Sequence, residues 1–526
     1  MSEAAEQKNK ATKVVVAIFI IIWSIIIFWR LYVLFTYCYK YVDDDQAIMW
    51  YGTVHFANMH FPEPCFFGQD YNSMLESLLS VPLYLCGWPL NYAMPTVTTL
   101  LCICPYLMCS IILLRRKRYL QAFSSIFLLL LSGWHWDLLT SVPRAWIEAY
   151  PWTILGVVLI NDEKHNRKKV LIGSVIAGLS CALSLTAIAI FGIGMLNYVI
   201  VNKNKWKEYI LPVAGFIPGV GLYAYQKAFY AAHPEYLITG SGLDLISDRE
   251  DFIWNFGQMP ELLTHNFCFG KAGVLILPCL IAVALIFLIY RKKYRMAVLT
   301  GVSVLGSLFE LFLSWSGVYR KGSILFGQSR IVLFWNFLAL TLIFLSQTSA
   351  QAKTEKDEAA DSIKGKSFSY ILPVLAVLCV SGKIYLFEEE KKNEEGPLYL
   401  DSWVSIMPVD SLKRQAGQII ELAQETGAEV LITTTRARCF AYVASAIYYD
   451  APQIFYVPDI DRRTWLFKEM EKAEDRRLMF YSLPVKEDMD MTLIDLKDVS
   501  VTEYLKQFNC ERKVDAAWWG NIILLQ

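Results

Sequence analysis

Tyr41-Val42-Asp43-Asp44-Asp45-Gln46-Ala47-Ile48-Met49-Trp50-Tyr51 stands a few residues beyond an apolar run at 14–35. A charge in hydrocarbon is costly, so three consecutive carboxylates belong at a membrane face or in a wet cavity. The run before them is long enough to cross a bilayer, which takes about 20 apolar residues. After the acids, Ile48, Met49, Tyr51 and Phe56 predict an amphipathic helix lying in the membrane interface.

The rest of the chain extends this reading. Of its 526 residues 55% are hydrophobic and 19% charged, whereas a soluble domain carries about 25% charged residues. Formal net charge is zero, so nothing points to nucleic acid. The run at 14–35 exceeds the apolar region of a signal peptide and no small-residue cleavage pattern follows, so it reads as a retained span. Most of the twelve cysteines, among them Cys86, Cys102, Cys104, Cys109, Cys181, Cys279 and Cys379, fall in or beside apolar runs. Without CxxC spacing they read as small core residues rather than a disulfide framework or a zinc site.

Basic clusters set the orientation. Lys8, Lys10 and Lys13 precede span one, placing the N-terminus in the cytoplasm. Spans at 94–114 and 119–133 flank Arg115-Arg116-Lys117-Arg118, and a fourth span returns to Lys164, Arg167, Lys168 and Lys169. Spans at 170–185 and 186–201 form a hairpin before Lys203, Lys205 and Lys207. Later spans fall at 209–226, just before Arg291-Lys292-Lys293, and at 296–315, 331–345 and 368–387. An arrangement of about eleven transmembrane helices puts every basic cluster between spans on one side. Residues 1–387 are thus a polytopic α-helical membrane domain. Residues 388–526 are polar enough to be soluble and lie on the extracytoplasmic side. They read as an α/β domain: helical patterns at 411–426, 437–449 and 462–472 alternate with strands at 429–433, 453–457, 477–481 and 491–496.

The unusual polar residues sort to the external loops. The first loop continues with Phe66-Phe67-Gly68-Gln69-Asp70-Tyr71-Asn72-Ser73-Met74-Leu75-Glu76 and ends near Pro82. The second reads His135-Trp136-Asp137, then Arg144-Ala145-Trp146-Ile147-Glu148-Ala149-Tyr150-Pro151. Later loops carry Arg320-Lys321 and Gln328-Ser329-Arg330. No Walker or GxGxxG pattern is present, and the histidines lack metal-ligand spacing.

This constellation resembles the GT-C superfamily of polytopic glycosyltransferases, and within it the bacterial relatives of protein O-mannosyltransferases and the lipid A aminoarabinose transferase. Three features carry the resemblance over roughly residues 14–345. An acidic triplet follows span one. Gly68-Gln69, Tyr71, Glu76 and Pro82 close the first loop. Arg144 and Tyr150-Pro151 precede a span. Gln46 stands between the acids and Ala47, where the family usually has Ala directly.

The resemblance implies a sugar donor linked to a polyprenyl phosphate, a hydroxyl acceptor on a lipid, glycan or protein, and transfer with inversion in a bacterial plasma membrane. A carboxylate takes the hydroxyl proton. Asp44 and Asp45 are the candidates, with Asp43 third. The leaving phosphate calls for a cation, and guanidinium grips phosphate with two parallel bonds. Arg144 and Arg330 come first for that role, then Arg320 and Lys321. Gln69, Tyr71, Glu76, Trp136, Asp137, Glu148 and Tyr150 are candidate substrate residues. The three acids among them also suit a hard divalent ion such as Mg or Mn. Two rivals stand beside this reading. A transporter or flippase of lipid-linked glycans predicts acids near the bilayer midplane and inverted repeats. A scaffold displaying the tail leaves the gathering of acids and arginines on one side unexplained.

Overall fold

The structure is a computed structural model. It describes residues 2–37, 44–142, 145, 147–163, 166–203, 206–237, 259–309, 329–349 and 355–392. It further describes the strands at 243–245, 313–315, 430–433, 454–456, 478–482, 510–516 and 520–525, and a few isolated helical positions. Helices α1 (Ser2–Tyr37), α2 (Asp44–Ala57), α3 (Leu75–Leu85), α4 (Leu90–Arg115), α5 (Tyr119–Leu131) and α6 (Trp134–Leu139) build the first third. They are followed by α7 (Tyr150–Ile160), α8 (Arg167–Leu183), α9 (Ala187–Val201) and α10 (Ile210–Ala232). Then come α11 (Met259–Asn266), α12 (Gly273–Tyr290), α13 (Tyr294–Phe309), α14 (Ser329–Leu345) and α15 (Glu355–Lys392).

A helix stands at each apolar run expected to span the membrane. Among the described residues, four stretches are long and apolar enough to cross a bilayer: Thr12–Thr36, Leu90–Arg115, Gly270–Tyr290 and Ile371–Glu389. Of the other helices at these runs, α10 has 23 residues and the rest are shorter. Of the run expected at 296–315, the residues to Phe309 are helical, and those at 310–312 lie outside the described residues. Beyond it, β2 (Leu313–Trp315) pairs antiparallel with β1 (Leu243–Leu245).

Small residues let neighbouring helices approach closely, the usual device where lipid removes the hydrophobic drive for association. A Cβ added to Gly156 of α7 would lie 2.5 Å from the Gly173 carbonyl of α8, and one on Gly173 would lie 2.7 Å from the Gly156 carbonyl. On the other side of α8, Gly219 of α10 sits against the backbone of Gly178. An aromatic core fills the centre. Tyr106 meets Trp136 edge-on at 6.4 Å, and Tyr150 lies 4.9 Å from Phe337.

The tail holds a five-stranded mixed sheet in the order β4-β3-β5-β7-β6. Strands β3 (Val430–Thr433), β4 (Ile454–Tyr456) and β5 (Leu478–Ser482) fall where the sequence places them. Strand β3 pairs parallel with both β4 and β5. Parallel neighbours need long crossovers, and residues 434–453 and 457–477 supply them. Two further strands, β6 (Cys510–Ala516) and β7 (Gly520–Leu525), extend the sheet antiparallel. The helices expected at 437–449 and 462–472 and the strand at 491–496 lie outside the described residues. Of the helix expected at 411–426, only Gly417 and Glu421 are described as helical.

Candidate active site

Asp44 and Asp45 open α2, where carboxylates complement the exposed N–H groups and the positive end of the helix dipole. Asp43 lies outside the described residues, and of the Asp44 and Asp45 side chains the structure describes nothing. The seat of the helix is well defined. Ile48, Met49, Trp50 and Phe56 are buried in protein. This corrects the expected interfacial helix: the apolar face is used up against α3 and the 58–73 loop. A Cβ added to Gly52 would press on the flexible end of Met74 and lie 3.1 Å from Ser77 Oγ, so these neighbours would have to shift. Hydroxyl bonds join the two helices: Thr53 and Ser80 share one at 2.8 Å, and Ser77 Oγ donates to the Met49 carbonyl at 2.8 Å.

The start of α3 is held from the segment between α6 and α7. The N-cap residue Met74 makes no side-chain cap, while Ser73 Oγ accepts from the Leu75 N–H at 3.3 Å. The wholly buried Glu148 completes the cap: it accepts from the Ser73 and Glu76 N–H groups, each at 3.1 Å, and from the Ser73 hydroxyl. Burial pushes the Glu148 carboxyl up to about 7, although these hydrogen bonds pull the other way. Glu76 is equally buried, and its Oε2 accepts from Thr98 Oγ1 at 3.0 Å. Two of the sequence candidates are thus brought together. Ala145, next in sequence to Arg144, has a φ of 59°, a left-handed conformation that alanine rarely adopts and that surrounding structure must hold.

The remaining first-loop residues are fixed by the end of α10. Asp70 pairs with Lys227. Glu63 accepts from the Gly68 N–H at 2.8 Å and the Tyr230 hydroxyl at 3.0 Å. Gly68 has a φ of 81°, which suits glycine, and it sets the turn that carries buried Gln69 and half-buried Tyr71.

Three candidates lie elsewhere. Trp136 is buried in the aromatic core beneath the Arg30 guanidinium, and Tyr150 is buried beside it with its hydroxyl 3.0 Å from Thr186 Oγ1. Neither ring faces an open surface. Asp137 is buried in an ion-pair hub. Its Oδ1 accepts from Arg30 and from Ser132 Oγ, both at 3.1 Å. Its Oδ2 accepts from Trp29 Nε1 at 2.5 Å and from Lys383 at 2.9 Å. The Lys383 ammonium uses its other protons on the Leu129 carbonyl at 2.8 Å and Ser132 Oγ at 3.0 Å. Asp137, expected to meet substrate or metal, joins the first and last apolar helices instead. The three acids named for a divalent ion therefore do not converge, and among the described residues no group of three metal-ligating side chains does. Arg330 lies in the first turn of α14 with its side chain undescribed, and Arg144, Arg320 and Lys321 lie outside the described residues.

Sequence reasoning assigned no role to Arg30, Lys383, Glu63, Asp70, Lys227 or Tyr230. A charge within an apolar run is itself a signal, and it singles out Arg30 and Lys383.

The helical layout is one that solved structures share. The solved structures it is similar to are those of ArnT from Cupriavidus metallidurans. With undecaprenyl phosphate bound, ArnT matches at a TM-score of 0.53 and 12% identity, over 95% of this chain and 97% of that one. The apo state matches at 0.54 and 12%, over 99% and 98%. No protein-family profile matches the sequence, and no curated protein matches it either.

Proposed function

We propose that this chain is an inverting membrane glycosyltransferase that takes a sugar from a polyprenyl-phosphate donor and passes it to a hydroxyl acceptor on the extracytoplasmic face of a bacterial plasma membrane. The observation that carries the reading is the whole-length likeness to a fold solved with undecaprenyl phosphate bound. In this reading about eleven helices cross the bilayer, the N-terminus is cytoplasmic and the tail is extracytoplasmic. Asp44 or Asp45 takes the acceptor's proton as the hydroxyl oxygen attacks the anomeric carbon. The bond from that carbon to the lipid phosphate breaks, and Arg144 and Arg330 meet the charge gained by the leaving phosphate. Glu148 fixes the start of α3, and Glu76 ties α3 to Thr98 of α4. The charges buried at span ends, Arg30, Asp137 and Lys383, bind one another and support this reading over a carrier with acids along its path.

The test is to supply the purified protein with a panel of radiolabelled polyprenyl-phosphate sugars and to measure sugar release or transfer. The expected result is turnover of at least one donor, reduced about 100-fold or more in Asp44→Asn or Asp45→Asn, with unchanged elution from a sizing column. Normal turnover in both variants and in Asp43→Asn would sink the mechanism.

A further inference from the structure

Cys268 and Cys379 meet where the segment before α12 crosses the last apolar helix. Three observations place them there. The Cys268 N–H donates to the Leu131 carbonyl at 2.9 Å, and the preceding Phe267 bridges Ser132, so Cys268 lies against the end of α5. Lys383 reaches the same end of α5, at Leu129 and Ser132. Cys379 stands four residues before Lys383 on α15, and residues so spaced share a helix face. Nearby, Gly270 sits against Leu386, which keeps the same register between the two segments. The two side chains lie close enough to interact, and both are half-buried. Of the other described cysteines, Cys65, Cys102, Cys109 and Cys181 are fully buried.

We propose that Cys268 and Cys379 are a dithiol pair that closes to an intramolecular disulfide by exchange with an extracytoplasmic disulfide donor. The sidedness rests on the topology proposed above, which puts Cys268 in an external stretch and Cys379 in the outer half of the last span. Disulfides form and persist on that side of a bacterial membrane. In the exchange, a thiolate of the pair attacks one sulfur of the donor disulfide, whose other sulfur leaves as a thiolate. The second thiol of the pair loses its proton to water and displaces the first donor sulfur. Two electrons pass to the donor, which becomes a dithiol, and two protons leave the pair. The product ties the α11–α12 connection to the helix that carries Lys383.

The test uses the full chain, purified from cells without reductant, alkylated with N-ethylmaleimide and digested for mass spectrometry. The expected result is a linked peptide pair containing Cys268 and Cys379 that disappears on dithiothreitol treatment. Dithiothreitol should also lower the thermal midpoint of wild type, but not that of Cys268→Ser or Cys268→Ala. Full alkylation of both thiols, even after the purified protein has been exposed to oxidised glutathione, would overturn the proposal. Linkage that forms with oxidised glutathione but is absent from protein taken from cells would overturn the outward placement. Neither failure touches the sugar-release assay, which rests on Asp44 and Asp45.

Discussion

At the scale of single residues, Glu148 carries most of the structural weight around the candidate site. Its folded-state carboxyl is raised from the ordinary range to about 7 because it is buried. Between those values the folded protein holds a proton that the unfolded chain has released, so stability falls as pH rises through the window from about 4.5 to 7. Glu148→Gln keeps the shape and removes the titration. Its melting midpoint should be flatter over that window than the wild type's, as read by thermal unfolding in detergent across pH. Parallel profiles would reassign the dependence to another group. The sequence singles out both Glu148 and Glu76 as polar residues of external loops. It does not show that they meet, because their 72-residue separation obeys no helical or strand spacing. Asp137 is the converse case. The sequence exposes it as a loop acid, but its partners lie 107 residues upstream and 246 downstream. Only the packed fold turns a loop acid into the anion of a buried hub.

At the scale of elements, the helices are largely legible and their contacts are not. Apolar runs mark the helices expected as spans, since a bilayer demands length and hydrophobicity together; the short α6 and α11 carry no such run. Close approach is written more faintly, in single glycines. Gly219 illustrates this, because its missing side chain lets α10 lie on the backbone of Gly178. Gly219→Val should destabilise the solubilised protein by about 1–3 kcal/mol or more through overpacking. Gly221→Ala, two residues on and facing open space, should not. Equal melting midpoints for the two variants would refute close packing at this crossing. The sheet shows a second limit. Strands β3, β4 and β5 are apolar and readable. Strand β6 opens Cys510-Glu511-Arg512-Lys513 and reads as polar. It lies at the sheet edge, where charges guard against further pairing, and hydrophobic pattern does not find such strands.

At the scale of the whole molecule, the Asp137 hub binds α1, α6 and α15 into one body. Removing the anion strands two buried cations, whereas removing Lys383 leaves Asp137 paired with Arg30. Losing one partner of a buried pair costs about 3–5 kcal/mol. Asp137→Ala should therefore lower the melting midpoint more than Lys383→Met, and the reverse order would deny the hub its role. Helix α15 runs on to Lys392, and Phe387 packs against Trp29 and Trp134. Deleting residues 393–526 keeps those contacts, so the truncated protein should elute as a single species in detergent; aggregation would make the tail part of the core. The hub also sets an order of events during synthesis. Arg30 and Asp137 are made early, and Lys383 follows 246 residues after Asp137. At ~5–20 residues per second, the ribosome takes about 12–50 s to deliver it. Until then the newborn chain holds an unfinished clasp, and any factor that shields half-inserted membrane proteins has that interval in which to act.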